Sequence, residues 1–172
     1  AYERGALNMQ INSDRLWKRL HAIGEIGKDP DGGISRFSWT TEYRKACVAL
    51  MDYARKLNLS VRMDTVGNMF FRLEGQNKEL PAVLMGSHFD TVPHGGCFDG
   101  IAGVMAGMEV LETLMDQGFK PERSVEVVAF VNEEGTQFLG GTFGSRAVCG
   151  MIQKEYVEEC RDHYTGQRMK DA

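Results

Sequence analysis

The 172-residue chain lacks most of the features that mark a specialised class. It has no apolar run of membrane-spanning length. The polar, mixed segment from Ala1 to Asn12 has no signal-peptide core. Net charge is −4 with both signs interspersed, which gives nucleic acid no basic footprint. The four cysteines, Cys47, Cys97, Cys149 and Cys160, form no C-x-x-C pair, so their spacing marks no structural zinc knuckle. Free thiols in a reducing cytoplasm are the resulting expectation. No internal repeat and no low-complexity linker divides the chain, so residues 1–172 read as one unit with no internal boundary. That length suits one domain with a real core.

What is present is a run of alternating helix and strand signals. Ile11, Leu16, Leu20 and Ile23 recur near helical spacing and predict a helix over 12–28, capped by Asn12 or Ser13. A Pro/Gly loop over 28–33 follows. Thr40 or Thr41 then caps a helix to about Leu57, with Cys47, Leu50, Met51, Ala54 and Leu57 on one face. Ser60–Asp64 and Asn68–Leu73 read as two strands of a hairpin around Val66-Gly67-Asn68. Residues 82–88 are apolar up to Gly86, as a strand buried on both faces would be. A glycine-bearing helix from Asp99 to about Gln117 carries Val110, Leu111 and Leu114 on its apolar side, and Gly118 ends it. Ser124–Val131 is the next strand. A short helical turn over 145–150, a helix over 154–160 and a polar tail complete the chain.

The strand 82–88, the helix and the strand 124–131 form a β-α-β unit, whose right-handed crossover sets the two strands parallel. His88 and the pair Glu133-Glu134 then lie at the carboxyl ends of neighbouring strands, where sites in open α/β sheets collect. Asp99 stands at the start of the intervening helix. An imidazole is the commonest transition-metal ligand. Asp90, two residues on, shares a face with His88 and can accept its other ring N–H. Asp99 has two oxygens and can bridge two metals. Glu133 and Glu134 point different ways in extended backbone, so one can bind metal while the other takes a proton from water.

Each residue also has an ordinary explanation. His88 alone suits a satisfied strand end, Asp99 a helix N-cap, and Glu133-Glu134 a solvated strand end. Gly95-Gly96 lacks both G-x-G-x-x-G and a P-loop lysine, so it is no phosphate cradle. Cys97 reads as a small loop residue, since spacing places no histidine base for it. None of these explanations accounts for the whole set meeting at one sheet edge.

The motifs Gly86-Ser87-His88-Phe89-Asp90-Thr91-Val92, Gly95-Gly96-Cys97-Phe98-Asp99-Gly100 and Glu133-Glu134-Gly135 resemble those of one family. It is the amidase/hydantoinase–carbamoylase branch of the M20 metallopeptidase-like hydrolases. That branch includes N-carbamoyl-L-amino-acid hydrolases, allantoate amidohydrolases and β-ureidopropionases. Ile23-Gly24, Asp31-Gly32-Gly33-Ile34-Ser35-Arg36, Asp64-Thr65-Val66-Gly67-Asn68 and Gly144-Ser145 extend the likeness along residues 16–150. The resemblance implies a three-layer α/β/α mixed sheet of the zinc-peptidase, aminopeptidase-like type. It implies His88, Asp99 (bridging) and Glu134 as ligands to two divalent ions, zinc, manganese, cobalt or nickel. Glu133 is then the general base, Asp90 the residue that orients His88, and Asp99–Gly100 a cis peptide bond. The implied reaction is hydrolysis of a linear C–N amide in a small ureido or carbamoyl compound; no substrate-binding residue is assigned.

The sequence also departs from the family. The lid and dimerisation domain and two further ligand histidines have no counterpart, and Gln137 stands where an arginine is common. His163 is expected on the surface, and His94 beside the site at a variable position. The expectation is therefore the N-terminal portion of a catalytic domain, an incomplete fold inactive alone, with exposed sheet edges that favour self-association. An M20-type aminopeptidase or deacylase is one alternative. A non-catalytic fragment, or a subunit completed by another polypeptide, is the other.

Overall fold

A computed structural model describes residues 9–172. The expectation for the extreme N-terminus therefore lies largely outside the described residues. Helix α1 (Ser13–Gly24) starts where Asn12 accepts the Arg15 N–H at 2.9 Å. Helix α2 (Thr41–Lys56) starts where Thr40 Oγ1 accepts the Tyr43 N–H at 3.3 Å. Both are side-chain caps of the kind the sequence predicts. Strands β1 (Ser60–Met63) and β2 (Met69–Leu73) form the expected antiparallel hairpin. Its turn is wound on Asp64 Oδ1, which accepts the N–H groups of Val66, Gly67 and Asn68 at 3.1, 3.0 and 2.9 Å.

Strand β3 (Val83–His88), helix α3 (Ile101–Asp116) and strand β4 (Val125–Phe130) make the β-α-β unit, with β3 and β4 parallel. The sheet order is β1-β2-β4-β3, a mixed sheet. Two six-residue helices, α4 (Phe143–Val148) and α5 (Lys154–Glu159), and a 3-10 turn at Met169–Asp171 follow. The core joins α1, α2 and α3 to one sheet face, through Leu20, Ile23, Leu50, Met105 and Met108 against Met69, Phe71, Val127 and Ala129. On the opposite face the Arg62 guanidinium lies 3.4 Å from the centre of the Phe70 ring, and Arg62 and Arg72 approach Glu126 at 3.6 and 3.5 Å. None of the three long helices covers that face. No described helix is long and apolar enough to cross a membrane.

Three expectations are corrected. First, β3 is not a strand buried on both faces. It is one of the two sheet edges, pairing only with β4 among the described residues, and Val83 and Leu84 are 51% and 45% exposed. A continuous apolar run reports strand character and not position in the sheet. Second, the buried side of α3 includes charge. Glu109 and Glu112 are buried while Val110 is exposed, because α1 supplies Arg15 at 2.8 Å from Glu109 and 3.1 Å from Glu112. Arg19 adds contacts to Glu112 and Tyr53. Third, the C-terminal tail is not simply polar. Asp162 is buried and its Oδ1 accepts the N–H groups of Tyr164 and Thr165, while Met169 joins the core.

Candidate metal centre

His88 closes β3 and its ring stands half-buried at the sheet rim. Its Nε2 lies 3.8 Å from Asp99 Oδ1 and 3.9 Å from Glu134 Oε1. One ligand atom from each of the three falls within 4.8 Å of the others. The other ring nitrogen, Nδ1, is 3.0 Å from the Asp90 backbone carbonyl and 3.7 Å from Asp90 Oδ1. Donation from Nδ1–H to that carbonyl leaves the Nε2 lone pair facing the two carboxylates.

The Asp90 side chain does something other than the expected bond to the imidazole. It is 2% exposed, and its two oxygens accept the backbone N–H groups of Glu133 and Glu134, each at 3.1 Å. One buried carboxylate thus fastens the loop after β4 to the end of β3. Burial pushes the Asp90 carboxyl above the usual carboxylate range, against the pull of those two N–H groups and of His88.

Asp99 is not a helix cap. The cap position is Gly100, which makes no side-chain bond, and the Asp99 carboxylate is 71% exposed. No cis peptide bond occurs among the described residues, so Asp99–Gly100 is trans. Gly100 carries the change of direction instead, with φ 64° and ψ −58° and the Ile101 N–H bonded to Asp99 O at 2.6 Å. This is a γ-turn of the strained, positive-φ kind. It lies flat against His88: a Cβ on Gly100 would stand 2.4 Å from ring atoms Cε1 and Nδ1.

After β4 the chain turns through Asn132 at φ 50°, a conformation that asparagine tolerates better than most residues. The turn is pinned by Ser38 Oγ, which accepts the Asn132 N–H at 2.8 Å. The two glutamates then diverge. Glu134 faces His88 and Asp99. Glu133 faces α4, where Ser145 Oγ donates to its carboxylate at 3.1 Å. Burial, and then the facing Asp99 carboxylate, hold the Glu134 carboxyl above its ordinary value, although His88 opposes this. Two carboxylates converging on one imidazole nitrogen are a mutually repelling set that a divalent cation would stabilise. Mixed nitrogen and oxygen donors suit zinc, manganese, cobalt or nickel.

Other expected or singled-out residues lie elsewhere. His94 Nδ1 is 3.0 Å from Asp31 Oδ2 and 3.4 Å from Asp29 Oδ2, in a second and more exposed group. The His21 ring lies tilted against Trp17, His163 is exposed beside Tyr164, and Cys97 is an exposed loop residue. All four cysteines are unpaired. Gln137 donates to Asp162 Oδ2 at 3.1 Å. Sequence reasoning gave Ser145 no role, and gave Gly100 one only in the motif and in a cis bond that is not found. Ser145 entered only through the family likeness, and nothing in its spacing connects it to Glu133.

Comparison with known proteins agrees with this arrangement. The model of peptidase family M28 matches residues 68–161. An N-carbamoyl-L-amino acid amidohydrolase of Geobacillus stearothermophilus is 47% identical over 152 residues, covering 88% of this chain and 37% of that protein. A protein of the same description from Pseudomonas sp. (strain NS671) is 39% identical, with 89% and 37% covered. Among solved structures, a hydantoinase/carbamoylase family amidase from Burkholderia vietnamiensis superposes with a TM-score of 0.91 at 35% identity, covering 95% of this chain and 40% of that one. The chain thus spans little more than a third of the length of these relatives. The matching family model is M28, whereas the sequence motifs suggested the M20-like group; the hydantoinase/carbamoylase branch is common to the motifs and to that solved structure.

Proposed function

The chain belongs to peptidase family M28, and from that premise we propose that its site serves metal-dependent hydrolysis of linear C–N amide bonds. N-carbamoyl amino acids are the first substrate class, with allantoate and similar ureido compounds next. The observation that carries the reading is the meeting of His88, Asp99 and Glu134, with Glu133 beside them and turned to a different partner. The substrate class rests on the names of the relatives.

His88, Asp99 and Glu134 would hold the divalent metal, which when bound would supply Lewis-acid activation of the scissile carbonyl and of a water. Glu133, its carboxylate steadied by the Ser145 hydroxyl, takes the proton of the attacking water and returns it to the leaving nitrogen. Asp90 keeps both glutamates at the rim by gripping their N–H groups, and its carbonyl fixes the His88 tautomer. Three protein ligands are few for two ions. We therefore assign turnover to an assembly in which further ligands come from another part of the protein or from another chain. A peptidase or deacylase activity is the second reading, favoured by the description of the family.

Two finer assignments accompany this. Four unpaired thiols suit a reducing compartment such as the cytoplasm. The free edge of β3, with Val83 and Leu84 exposed, suits pairing with a second copy; a monodisperse monomer in sedimentation would count against it. The function itself is tested by elemental analysis of the metal-reconstituted protein, joined to a substrate panel on the full-length enzyme. Bound metal with ammonia release from N-carbamoyl amino acids is expected. Release from dipeptides or N-acyl amino acids alone would move the assignment to the second reading. Failure to hold metal would remove both.

A further inference from the structure

Arg36 is the largest fully buried side chain of the core, at 0% exposed. A guanidinium so placed is costly unless its donors are matched. No carboxylate within salt-bridge distance pairs with it among the described residues. Its bonds go to backbone carbonyls: Nε to Phe89 O at 2.8 Å, and Nη1 to Ile23 O at 3.1 Å and Ile26 O at 2.8 Å. Ile23 and Ile26 flank the C-terminus of α1, where unpaired carbonyls and the helix dipole favour a cation. Phe89 is the residue between His88 and Asp90. The Arg36 main chain grips the same stretch, its N–H donating to Thr91 Oγ1 at 2.8 Å and its carbonyl accepting the Thr91 N–H at 3.2 Å.

We infer that Arg36 is a positioning residue of the metal centre. It ties the end of α1 to the Phe89 peptide, and so fixes the residue whose carbonyl aims His88 and whose carboxylate holds Glu133 and Glu134. A buried charge with only carbonyl partners is poor material for stability alone. A planar fork that fixes two backbone segments at once is what a site needs when both of its ligand loops hang from one aspartate. Lysine, a single point donor, cannot reproduce that fork. The inference rests on the metal-site reading above.

The test is Co(II) binding by the 172-residue chain, following the cobalt absorption bands and the affinity. The variants are Arg36→Met, Arg36→Lys and Leu50→Ala. Leu50 is fully buried on α2 and serves as a destabilised control away from the site. Affinities are taken at temperatures where circular dichroism shows each variant folded. Arg36→Met is expected to lose about 10- to 100-fold in Co(II) affinity, as removal of an outer supporting partner typically does, and to shift the cobalt bands. Arg36→Lys should fall between it and the parent, and Leu50→Ala should keep the parent spectrum. If Arg36→Met does not fold, Arg36→Lys carries the comparison. Parent-like affinity and bands in the folded Arg36 variants would overturn the inference, as would an equal loss in Leu50→Ala. A parent chain that binds no Co(II) would instead remove the reading that His88, Asp99 and Glu134 hold metal without ligands from elsewhere, and the inference with it.

Discussion

Substituting Gly100 by alanine should damage the proposed metal centre more than its single methyl group suggests. The new Cβ would stand 2.4 Å from two atoms of the His88 ring, whereas ordinary contact begins near 3.4 Å. The ring, or the turn carrying Asp99, must therefore retreat by roughly 1 Å, beyond the ~0.5 Å within which a preorganised site works. Alanine must also adopt φ 64°, ψ −58°, a strained conformation costing about 1–3 kcal/mol. Overpacking adds a similar amount when neighbours cannot move freely. Gly100→Ala should thus lower stability by about 2–4 kcal/mol, the clash being partly relieved by the ring's retreat. It should weaken Zn(II) or Co(II) binding by about 10- to 100-fold, the scale seen when the orientation of a metal ligand is lost. Urea denaturation followed by circular dichroism, and competition titration against a metallochromic chelator, measure the two effects. Gly96→Ala is the internal control, because a Cβ there meets nothing within 4 Å and its φ is not positive. Metal affinity in Gly100→Ala within threefold of the parent, or an equal loss in Gly96→Ala, would refute the packing argument.

Further outcomes follow from other contacts. Arg15→Ala should cost about 3–5 kcal/mol by stranding the buried Glu109 charge. Glu109→Ala should cost less, because Arg15 keeps Glu112 at 3.1 Å and Asp116 at 2.6 Å; equal losses in urea denaturation would contradict this. Burial alone would raise the Glu109 carboxyl, but its hydrogen bonds to Arg15 and to the Asn12 N–H leave it below the ordinary value of a glutamate. Its contribution is therefore full above about pH 4.5 and lost as pH falls through the lower folded value, and acid titration of stability should show that loss abolished in Glu109→Gln. Glu134→Gln removes a proposed ligand oxygen charge and should reduce Co(II) affinity by more than the ~10–100-fold typical of outer partners; unchanged titration would exclude Glu134 as a ligand. Burial pushes the Cys47 thiol up to about 11. At pH 8 iodoacetamide should therefore modify exposed Cys97 and Cys149 in the native chain while Cys47 resists until denaturant is added, as peptide mass mapping would reveal.

Local signals made much of this fold legible. Asn12-Ser13 and Thr40-Thr41 gave the helix starts to within one residue, and the apolar runs gave the hairpin and the β-α-β unit. What sequence could not give was position within the sheet, because Val83-Leu84-Met85 reads alike at an edge and at a centre. Nor could it foresee that Glu109 and Glu112 face inward, since their partners Arg15 and Arg19 lie on a distant helix. At the site, residue types and topology were enough to nominate His88, Asp99, Glu133 and Glu134 as a group. The support beneath them was not legible. Asp90 bonds main chain where side-chain chemistry suggested the imidazole, and Ser145 and Arg36 act across separations that no periodicity encodes.

The bond between Asp90 and the Glu133-Glu134 peptides also bears on the order in which the molecule comes together. The β1–β2 hairpin is local and can close early, whereas β3 reaches β4 only after the whole of α3 has been spanned. Loop-closure entropy must be met before that parallel pairing returns anything. The candidate ligand set accordingly exists only once that long-range parallel pairing is made, and a bound ion would act as a latch on the finished state. At a hundredfold excess over its dissociation constant it would add about 2.7 kcal/mol. In metal-poor solution β3, an edge strand paired by β4 alone, is where the rim that carries His88 should open first. Its amide protons should then exchange with solvent well before those of β2 and β4.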